Sequence, residues 1–505
     1  MNHLIIRADS TAKIGTGHIM RCLALAQAWQ DQDGKVTFIS HCESDALRQR
    51  LIEEGMNFIN IEKSHPDPGD LEYTMRILDD ISNQRQGKTA WLVIDGYHFD
   101  ATYQKRIKDT GYKILWIDDY GHADHYYADL VLNQNISANA SLYAHCEPYT
   151  QLLLGTRYTL LRREFKQWQG WQREIPTVAR KVLVTMGGSD PYNVTKKVTK
   201  ALKQVNISGL EAKIVVGPAN PNLQSLAQEI GDNSNLQIIT NATNIPELMA
   251  WADVAVSAGG STCWEIALMG LPNLLIILAG NQANVATGLR DHGLSINIGW
   301  YNNINTIDIA KALNDLMKSD VDRKKMLSAG KSYVDGKGSA RIMSTICCED
   351  LLLRKASIED CEVLFKWVND PDARQSAFRS EPITFDEHAK WYRENLDNNN
   401  FIQFIAVDQD KRAIGQVRFD LKNDEADVDV SVAKEFRSLG YGACLVKKGV
   451  DAVVNTFKIG IFSAYIKPYN QASIRSFERA GFSILRRQVI DGHEAVNMVY
   501  HKRQG

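Results

Sequence analysis

Residues 4–21, LIIRADSTAKIGTGHIMR, pass from an apolar run through a loop with two glycines into a helical pattern that continues to Trp29. The run has no period-2 alternation and ends in polar residues, as expected of a strand covered on both faces. Similar runs recur at VTFIS (36–40), WLVID (91–95) and ILWID (114–118), with helical or polar material between them. At 181–188, KVLVTMGG, the pattern restarts. A helix is expected there from about Tyr192, followed by AKIVVG, LQIIT, VAVSAGG and NLLIIL. Two successive series of this kind predict an α/β protein with two doubly wound parallel-sheet halves. Such halves place a ligand cleft outside the carboxyl ends of their strands. The halves are expected at 1–168 and 178–335, with GWQREIPTVAR (170–180) crossing between them.

Beyond Asp335 the pattern changes. Residues 336–351 are expected to link to a third unit, 352–505, in which helical stretches (359–369, 385–396) precede the strands FIQFIAV, AIGQVRF and ADVDVSV. That order predicts a separate α+β domain. With 505 residues, about 100–200 per domain gives roughly three units. The 58 basic and 60 acidic residues leave a charge of −2, so no global positive field exists to hold a nucleic acid. The eight cysteines include no C-x-x-C pair, and the adjacent Cys347 and Cys348 suit neither a zinc site nor a disulfide framework. All are expected to be reduced thiols of a cytoplasmic protein. The start, MNHLIIRADS, lacks the basic and apolar regions of a secretion signal. The uncharged stretch Ile266–Leu289 is interrupted by Pro272, Asn273, Asn281, Gln282 and Asn284, so no membrane insertion is expected.

Three glycine loops carry candidate chemistry. In the first, Gly15 and Gly17 allow close approach of a ligand to backbone. His18 falls in the first turn of the following helix, whose positive dipole end disfavours imidazolium and favours a base that accepts a proton from water. Arg21, one turn on, is a candidate for holding an anionic group, while a plain βα turn capped by the histidine is the bland alternative. The third glycine of the dinucleotide fingerprint is missing, since position 20 is Met. In the second loop, Ser257-Ala-Gly259-Gly260-Ser261-Thr262-Cys-Trp-Glu265 opens a helix whose free N–H groups suit a diphosphate, with Glu265 placed for a ribose. Thr262-x-x-Glu265 is also a capping box that needs no ligand. Asn281 and Gln282, after the next strand, and Gly188 in Met186-Gly-Gly-Ser-Asp190 are expected to edge the same cleft. The third loop, Arg437-Ser-Leu439-Gly440-Tyr-Gly442-Ala443, opens a helix after ADVDVSV and forms an anion-binding nest for a pyrophosphate. His122-Ala-Asp-His125 has loose metal-like spacing without further ligands, and no metal is assigned.

Taken in order, RADSTAKIGTGHIMRC, VIDGYHF, LLGTRYTLLRREF, VTMGGSDPYN and SAGGSTCWEIALMGLP resemble the UDP-sugar hydrolases of pseudaminic acid biosynthesis. That family acts on UDP-2,4-diacetamido-2,4,6-trideoxy-β-L-altropyranose and is similar to the MurG-type glycosyltransferases of GT-B fold. The resemblance covers about residues 1–335. It implies that His18 is the general base of an inverting hydrolysis with water as acceptor and UDP as leaving group. Asp9, Gly17 and Arg21 complete the loop, Tyr97 and Arg162 line the sugar side, and Glu265, Asn281 and Gln282 the uridine side. From the residues alone, Asp95 and Asp118-Asp119 are equally readable as caps of strand-end turns, and Tyr97 as packing. The sequence from ADVDVSV through the third loop to Asn470 and Ala480-Gly481-Phe482 resembles the GNAT acetyltransferases. It implies acetyl-CoA as co-substrate, with Val430 and Val432 lending backbone to the pantetheine arm. Arg437, Leu439, Gly440, Gly442 and Asn470 would also contact the cofactor. Phe477 stands where many GNAT enzymes carry a general-acid Tyr, which leaves Tyr465, Tyr469, Ser473 or water for that role. Trp367, Arg374, Glu387, His388 and Trp391 resemble the branch that acetylates nucleotide-linked amino sugars. Helix-packing tryptophans and a surface His388 are the alternative.

Together these resemblances imply a bifunctional enzyme that takes a small-molecule UDP-amino sugar and acetyl-CoA. It would acetylate the 4-amino group of a UDP-4-amino-4,6-dideoxy-N-acetyl hexose and then release UDP. The alternatives are a UDP-sugar-dependent glycosyltransferase with an accessory acetyltransferase domain, and a non-catalytic nucleotide-sugar binding protein.

Overall fold

The computed structural model describes residues 3–83, 90–217, 220–240, 242–349, 351–408, 411–457 and 459–502. The chain divides into two compact units, one ending at Ser339 and one beginning at Ala340.

The first unit holds two parallel sheets. One is built from β1 (His3–Ala8), β2 (Lys35–Ser40), β3 (Asn57–Asn60), β4 (Ala90–Asp95), β5 (Lys113–Ile117), β6 (Leu130–Asn133) and β7 (Gln151–Leu154), in the order β3-β2-β1-β4-β5-β6-β7. The other is built from β8 (Lys181–Thr185), β9 (Glu211–Val216), β10 (Leu236–Thr240), β11 (Val254–Ala258), β12 (Asn273–Ile277) and β13 (Ile296–Trp300), in the order β10-β9-β8-β11-β12-β13. The central strands β4, β11 and β12 are buried along their whole length, which is why their sequences do not alternate. In each sheet the chain first adds two strands on one side and then crosses to the other. The order therefore reverses between β1 and β4 and again between β8 and β11. At such reversals the loops leave in opposite directions and open a crevice. The Gly188 and Gly259-Gly260 loops flank the second crevice and the His18 loop flanks the first.

The strands β3, β6 and β7 have only four residues each, too few to stand out in the sequence, and β13 is half-buried with Asn297 and Gly299 interrupting its apolar run. The helix expected from Tyr192 begins at Val194, because the Asp190 carboxylate accepts from the N–H groups of Val194 and Thr195, each at 2.8 Å. Trp264, 1% exposed, anchors the helix Thr262–Leu268 behind the second glycine loop. Truncating an indole so buried costs about 3–5 kcal/mol.

The second unit is a seven-stranded mixed sheet of β14 (Leu352–Lys355), β15 (Phe401–Val407), β16 (Ala413–Lys422), β17 (Glu425–Val432), β18 (Ile461–Ile466), β19 (Ser483–Ile490) and β20 (His493–His501), in the order β14-β15-β16-β17-β18-β20-β19. Its one parallel pair is β17–β18, joined only over Glu425–Asp427 and Ile461–Ser463. β17 continues along β16 to Val432, and β18 continues along β20 to Ile466. The sheet is thus split beyond Asp427. The helix Tyr441–Thr456 packs Leu445, Val446, Val450 and Val453 against Val417 and Phe419. Gly449 permits that approach, since a Cβ there would lie 2.7 Å from Val417 Cγ1.

The expected linker 336–351 contains the helix Gly338–Glu349. The expectation that every cysteine is a free thiol is corrected here: Cys348 and Cys444 form a disulfide, with Cα atoms 6.1 Å apart. The two are separated by 96 residues in sequence, which hides the pair. The hydroxyl of Ser344 donates to the carbonyl of Leu439, so the first helix lies against the start of the second and brings the thiols into range. Among the described residues no helix is long and apolar enough to cross a membrane.

Candidate functional site

β1 and β4 present their carboxyl ends side by side, with Ala8 in register with Asp95. The chain leaves β1 through Asp9 and the glycine loop and enters the helix Gly17–Gln30 at the first crevice. There the Asp95 carboxylate receives His18 Nδ1 at 2.6 Å. Arg21, one turn along the same helix face, grips the same carboxylate from Nε and Nη2, both at 2.7 Å, and reaches Asp119 with Nη1 at 2.8 and 2.9 Å. Tyr97 donates its hydroxyl to Asp119 and accepts from Asn281 Nδ2 at 2.9 Å. Asn281 belongs to the second half, so this tyrosine joins the two halves. A cavity of about 340 Å³ is lined by Asp9, Lys13, Ile14, His18, His65, Asp95, Gly96, Tyr97, His98, Phe99, Ala279 and Asn281. A more open hollow of about 600 Å³ lies around Gln27, Glu54, Arg163 and Glu164, whose charges are already matched by Arg50, Asp31 and Arg162.

Burial alone would raise the Asp95 carboxyl, but the Arg21 guanidinium and His18 reverse this and hold it well below the usual carboxylate range. Asp95 is therefore a fixed anion that accepts the Nδ1 hydrogen and sets the orientation of the His18 ring at the cavity wall. Burial works against the charge of Arg21, and Asp119 and Asp95 more than restore it. Burial and then the Asp119 carboxylate push the Tyr97 phenol well above its ordinary value, so the hydroxyl stays a donor.

Several expected contacts take a different form. Arg21 was expected to hold an anionic ligand, but it is buried and bound to Asp95 and Asp119. Asp9, expected to bind substrate, accepts from Arg7, His41 N and His65 N and so ties strand ends together. Of the suspected turn caps only Asp118 is one, accepting from the N–H groups of Asp119, Tyr120 and Gly121. Arg162 and Glu265 were placed on opposite sides of the ligand. They bind each other instead, Arg162 Nη2 donating to Glu265 Oε1 at 2.7 Å and Nε at 3.1 Å. Arg162 is buried and needs a counter-charge, and the first turn of the helix Thr262–Leu268 supplies one. This also removes the capping box, because Ser261 is the N-cap and makes no side-chain cap bond.

The second crevice, between β8 and β11, is edged by the Gly259-Gly260 loop and the Gly188 loop. Gly259 lets the chain approach Gln282, whose Cβ would be 3.0 Å from an added Cβ, and Gln282 Oε1 accepts from Leu278 N at 2.9 Å. Gly260 has open space over its Cα. Gly17 likewise meets nothing within 4 Å. Gly188 faces the first loop across the cleft, and a Cβ there would fall 2.3 Å from Thr16 Oγ1. Gly188→Ala should force the two loops apart and destabilise the first unit by about 1–3 kcal/mol, read as a lower melting temperature.

Sequence reasoning missed Asp95 as the partner of His18, and with it Asp119, Lys13, His65 and His98. The order reversal between β1 and β4 is the signal that would have paired the two strand ends. His122 bonds Asp118 and His125 bonds Glu147, so the two imidazoles go to different carboxylates.

In the second unit, Ser438 and Gly440 take left-handed φ values of 64° and 110°, and the helix Tyr441–Thr456 starts without a side-chain cap. Its first N–H groups are available for an anion. The edge of β17 beyond Asp427, including Val430 and Val432, has no ladder to β18. Arg437, expected on the cofactor, donates from Nε to the Val432 carbonyl at 3.0 Å and from Nη1 to Asp370 Oδ1 at 2.5 Å. It fastens the loop to its strand, and it engages a carbonyl expected to serve the pantetheine arm. Leu439 accepts the Ser344 hydroxyl, and Gly442 packs close to Ser476, whose Oγ would lie 3.0 Å from a Cβ. Asn470 caps the helix Gln471–Arg479 by accepting from Ser473 N at 3.1 Å. Phe477 is buried against Phe482. His388, read as a possible surface residue, is buried with its ring donating to the Cys361 carbonyl at 3.2 Å, and burial lowers its pKa.

Comparison with known proteins matches residues 182–341 to the glycosyltransferase family 28 C-terminal domain and residues 350–483 to the acetyltransferase (GNAT) domain. An uncharacterized protein of Methanocaldococcus jannaschii is 22% identical over 95% of this chain and 96% of its own length. The spore coat polysaccharide biosynthesis protein SpsG of Bacillus subtilis is 26% identical over 68% of this chain and 97% of its own. The UDP-2,4-diacetamido-2,4,6-trideoxy-beta-L-altropyranose hydrolase of Campylobacter jejuni is 29% identical over 58% of this chain and 98% of its own. Residues 182–341, in the second parallel-sheet half, thus match a family 28 glycosyltransferase C-terminal domain, residues 350–483 match a GNAT acetyltransferase domain, and 58% of the chain is similar to a UDP-sugar hydrolase.

Proposed function

We propose that this chain performs two reactions on one nucleotide sugar. The second unit transfers acetyl from acetyl-CoA to the 4-amino group of a UDP-4-amino-4,6-dideoxy-N-acetyl hexose. The first unit then hydrolyses the resulting UDP-2,4-diacetamido-2,4,6-trideoxyhexose to UDP and the free sugar. In the hydrolysis, His18 Nε2 takes a proton from water while Asp95 holds the Nδ1 hydrogen. The water oxygen bonds to the anomeric carbon from the face opposite UDP, the bond from that carbon to the diphosphate oxygen breaks, and UDP leaves with the electron pair. The configuration inverts, and the proton on His18 returns to solvent. The amide groups at the Gly259-Gly260 helix start suit the diphosphate. Asn281, which reaches the cavity from the same half, suits the adjoining sugar or ribose.

The observation that carries this reading is the His18–Asp95 pair on a cavity shared by both halves. It is supported by the hydrolase homologue and by the GNAT domain on the same chain. The test supplies the amino sugar and acetyl-CoA to the full chain and follows the products by NMR. The 4-N-acetylated UDP-sugar should form first, followed by UDP and a free diacetamido sugar of inverted anomeric configuration. Release of UDP with no free sugar, or no acetylated intermediate, would overturn it. The family 28 match favours a second reading, glycosyl transfer. In that case UDP would appear only when a sugar acceptor is added.

A further inference from the structure

Strand register maps one face of the second unit. Gln403, Arg418 and Asp429 are cross-strand partners along one row of β15, β16 and β17, and Phe401, Asp420 and Asp427 form the next row. Alternate residues share a face. The intervening Val417, Phe419, Ala426 and Val428 belong to the core packed with the helix Tyr441–Thr456, so these two rows lie on the opposite face. Toward Ile405 that face is covered by an apolar cluster with Leu364, Ala389 and Tyr392. Toward Asp420 it is polar.

On this polar end each carboxylate but one is engaged. Asp427 accepts Lys422 Nζ at 2.5 Å, and Asp429 accepts Arg418 Nη2 at 2.8 Å. Asp420, half-buried, receives no hydrogen bond from the described residues. A second observation points to a ligand on the same face. Gln403 is only 8% exposed, yet its Oε1 has no partner among the described residues, and neither has Arg418 Nε in the same row. Buried polar atoms are normally hydrogen-bonded, so each unmet one is a place for a ligand atom.

The position of Asp420 relative to the sheet split gives it a role. The anion nest at Ser438–Gly440 lies beyond the Val432 end of β17, and the β17–β18 ladder closes at Asp427. The five residues between span about 17 Å of open strand edge. A pantetheine arm anchored at the nest and laid along that edge brings its thioester to the closed end, beside Asp427 and directly across from Asp420.

We propose that Asp420 is the general base of the acetyl transfer, accepting the proton of an amino-sugar ammonium bound on this face, while Gln403 Oε1 accepts a hydroxyl or amide hydrogen of the same acceptor. The proposal rests on the acetyl-transfer reading above. The ammonium proton passes to Asp420 and on to solvent, and the freed nitrogen lone pair bonds to the acetyl carbon. The carbon–sulfur bond breaks with its electron pair on sulfur, the nitrogen gives up its second proton as the amide forms, and the CoA thiolate takes that proton through water. Burial raises the Asp420 carboxyl, Arg418 and Lys422 oppose the rise, and Asp427 and Asp429 add to it, so the group is a stronger base than an ordinary aspartate.

The full-length wild type, Asp420→Asn and Asp420→Glu should be compared for CoA release with the UDP-4-amino sugar, CoA binding by calorimetry, and UDP release from pre-acetylated substrate. The Asn variant should lose about 100-fold or more in kcat for CoA release, with CoA binding and UDP release kept and with partial recovery in the Glu variant. An Asn variant within about threefold of wild-type kcat, far short of a base's contribution, would overturn the assignment. So would loss of CoA binding together with activity, which would make Asp420 a support of the fold. A wild type that releases no CoA with any UDP-amino sugar would instead overturn the acetyl-transfer reading itself.

Discussion

Replacing His18 by alanine should lower UDP release from the diacetamido UDP-sugar by about 10²–10⁴-fold, the span a positioned general base contributes, while CoA release by the second unit stays at the wild-type rate. The two readouts separate because His18 lies in the unit ending at Ser339 and the GNAT loop in the unit beginning at Ala340. The side chain is 8% exposed and touches a cavity, so its removal leaves space that water can fill. Substrate affinity should change far less than turnover, because imidazole acts on the water and not on the bound sugar. Unchanged UDP release in His18→Ala, measured by coupled phosphate or nucleotide assay, would remove the base from the mechanism. Loss of CoA release as well, in a folded variant, would contradict independent sites.

Asp95→Asn should be nearly as damaging, about 10²–10⁴-fold in kcat, the order seen when an orienting aspartate in a catalytic triad is replaced by its amide. An amide offers Nδ1 a donor as readily as an acceptor, so the ring loses the tautomer that aims a lone pair from Nε2 into the cavity. The same change leaves Arg21 buried with Asp119 as its remaining counter-charge, at a stability cost of about 3 kcal/mol. Asp95 is depressed in the folded chain, so its contribution to stability is complete above the ordinary carboxylate value of about 3.9. That contribution is lost as pH falls through the lower folded value. The gap in melting temperature between wild type and variant should therefore be constant from neutral pH down to about 4 and should shrink below it. A gap that widens on acidification would show that Asp95 is not held as the anion.

Much of this architecture was legible in residue order alone. Uninterrupted apolar runs at β1, β2, β4 and β5 and their restart at Lys181 reported strands buried on both faces, and the glycine loops marked where each series meets a helix. The α+β order after residue 352 likewise announced a different sheet. The strands β3, β6 and β7 were hidden because four residues carry too little pattern, and β13 because it is only half-buried and polar at Asn297. The Cys348–Cys444 bond was hidden because 96 residues intervene.

Partnerships among charged side chains were another matter. Local sequence places Glu265 three residues after Thr262, which reads as a cap, but a buried Arg162 from 103 residues away takes its carboxylate. Asp95 reads as a strand-end turn residue until β4 is laid beside β1, 77 residues from His18. Residue order was enough for the longer strands and helices and for the places where backbone N–H groups stay open for anions, since these follow from periodicity, glycine and helix ends. Which buried charges meet came from the folded arrangement, because burial obliges an ionised group to find a counter-charge or hydrogen-bond partners through space, and the sheet order sets who is within reach.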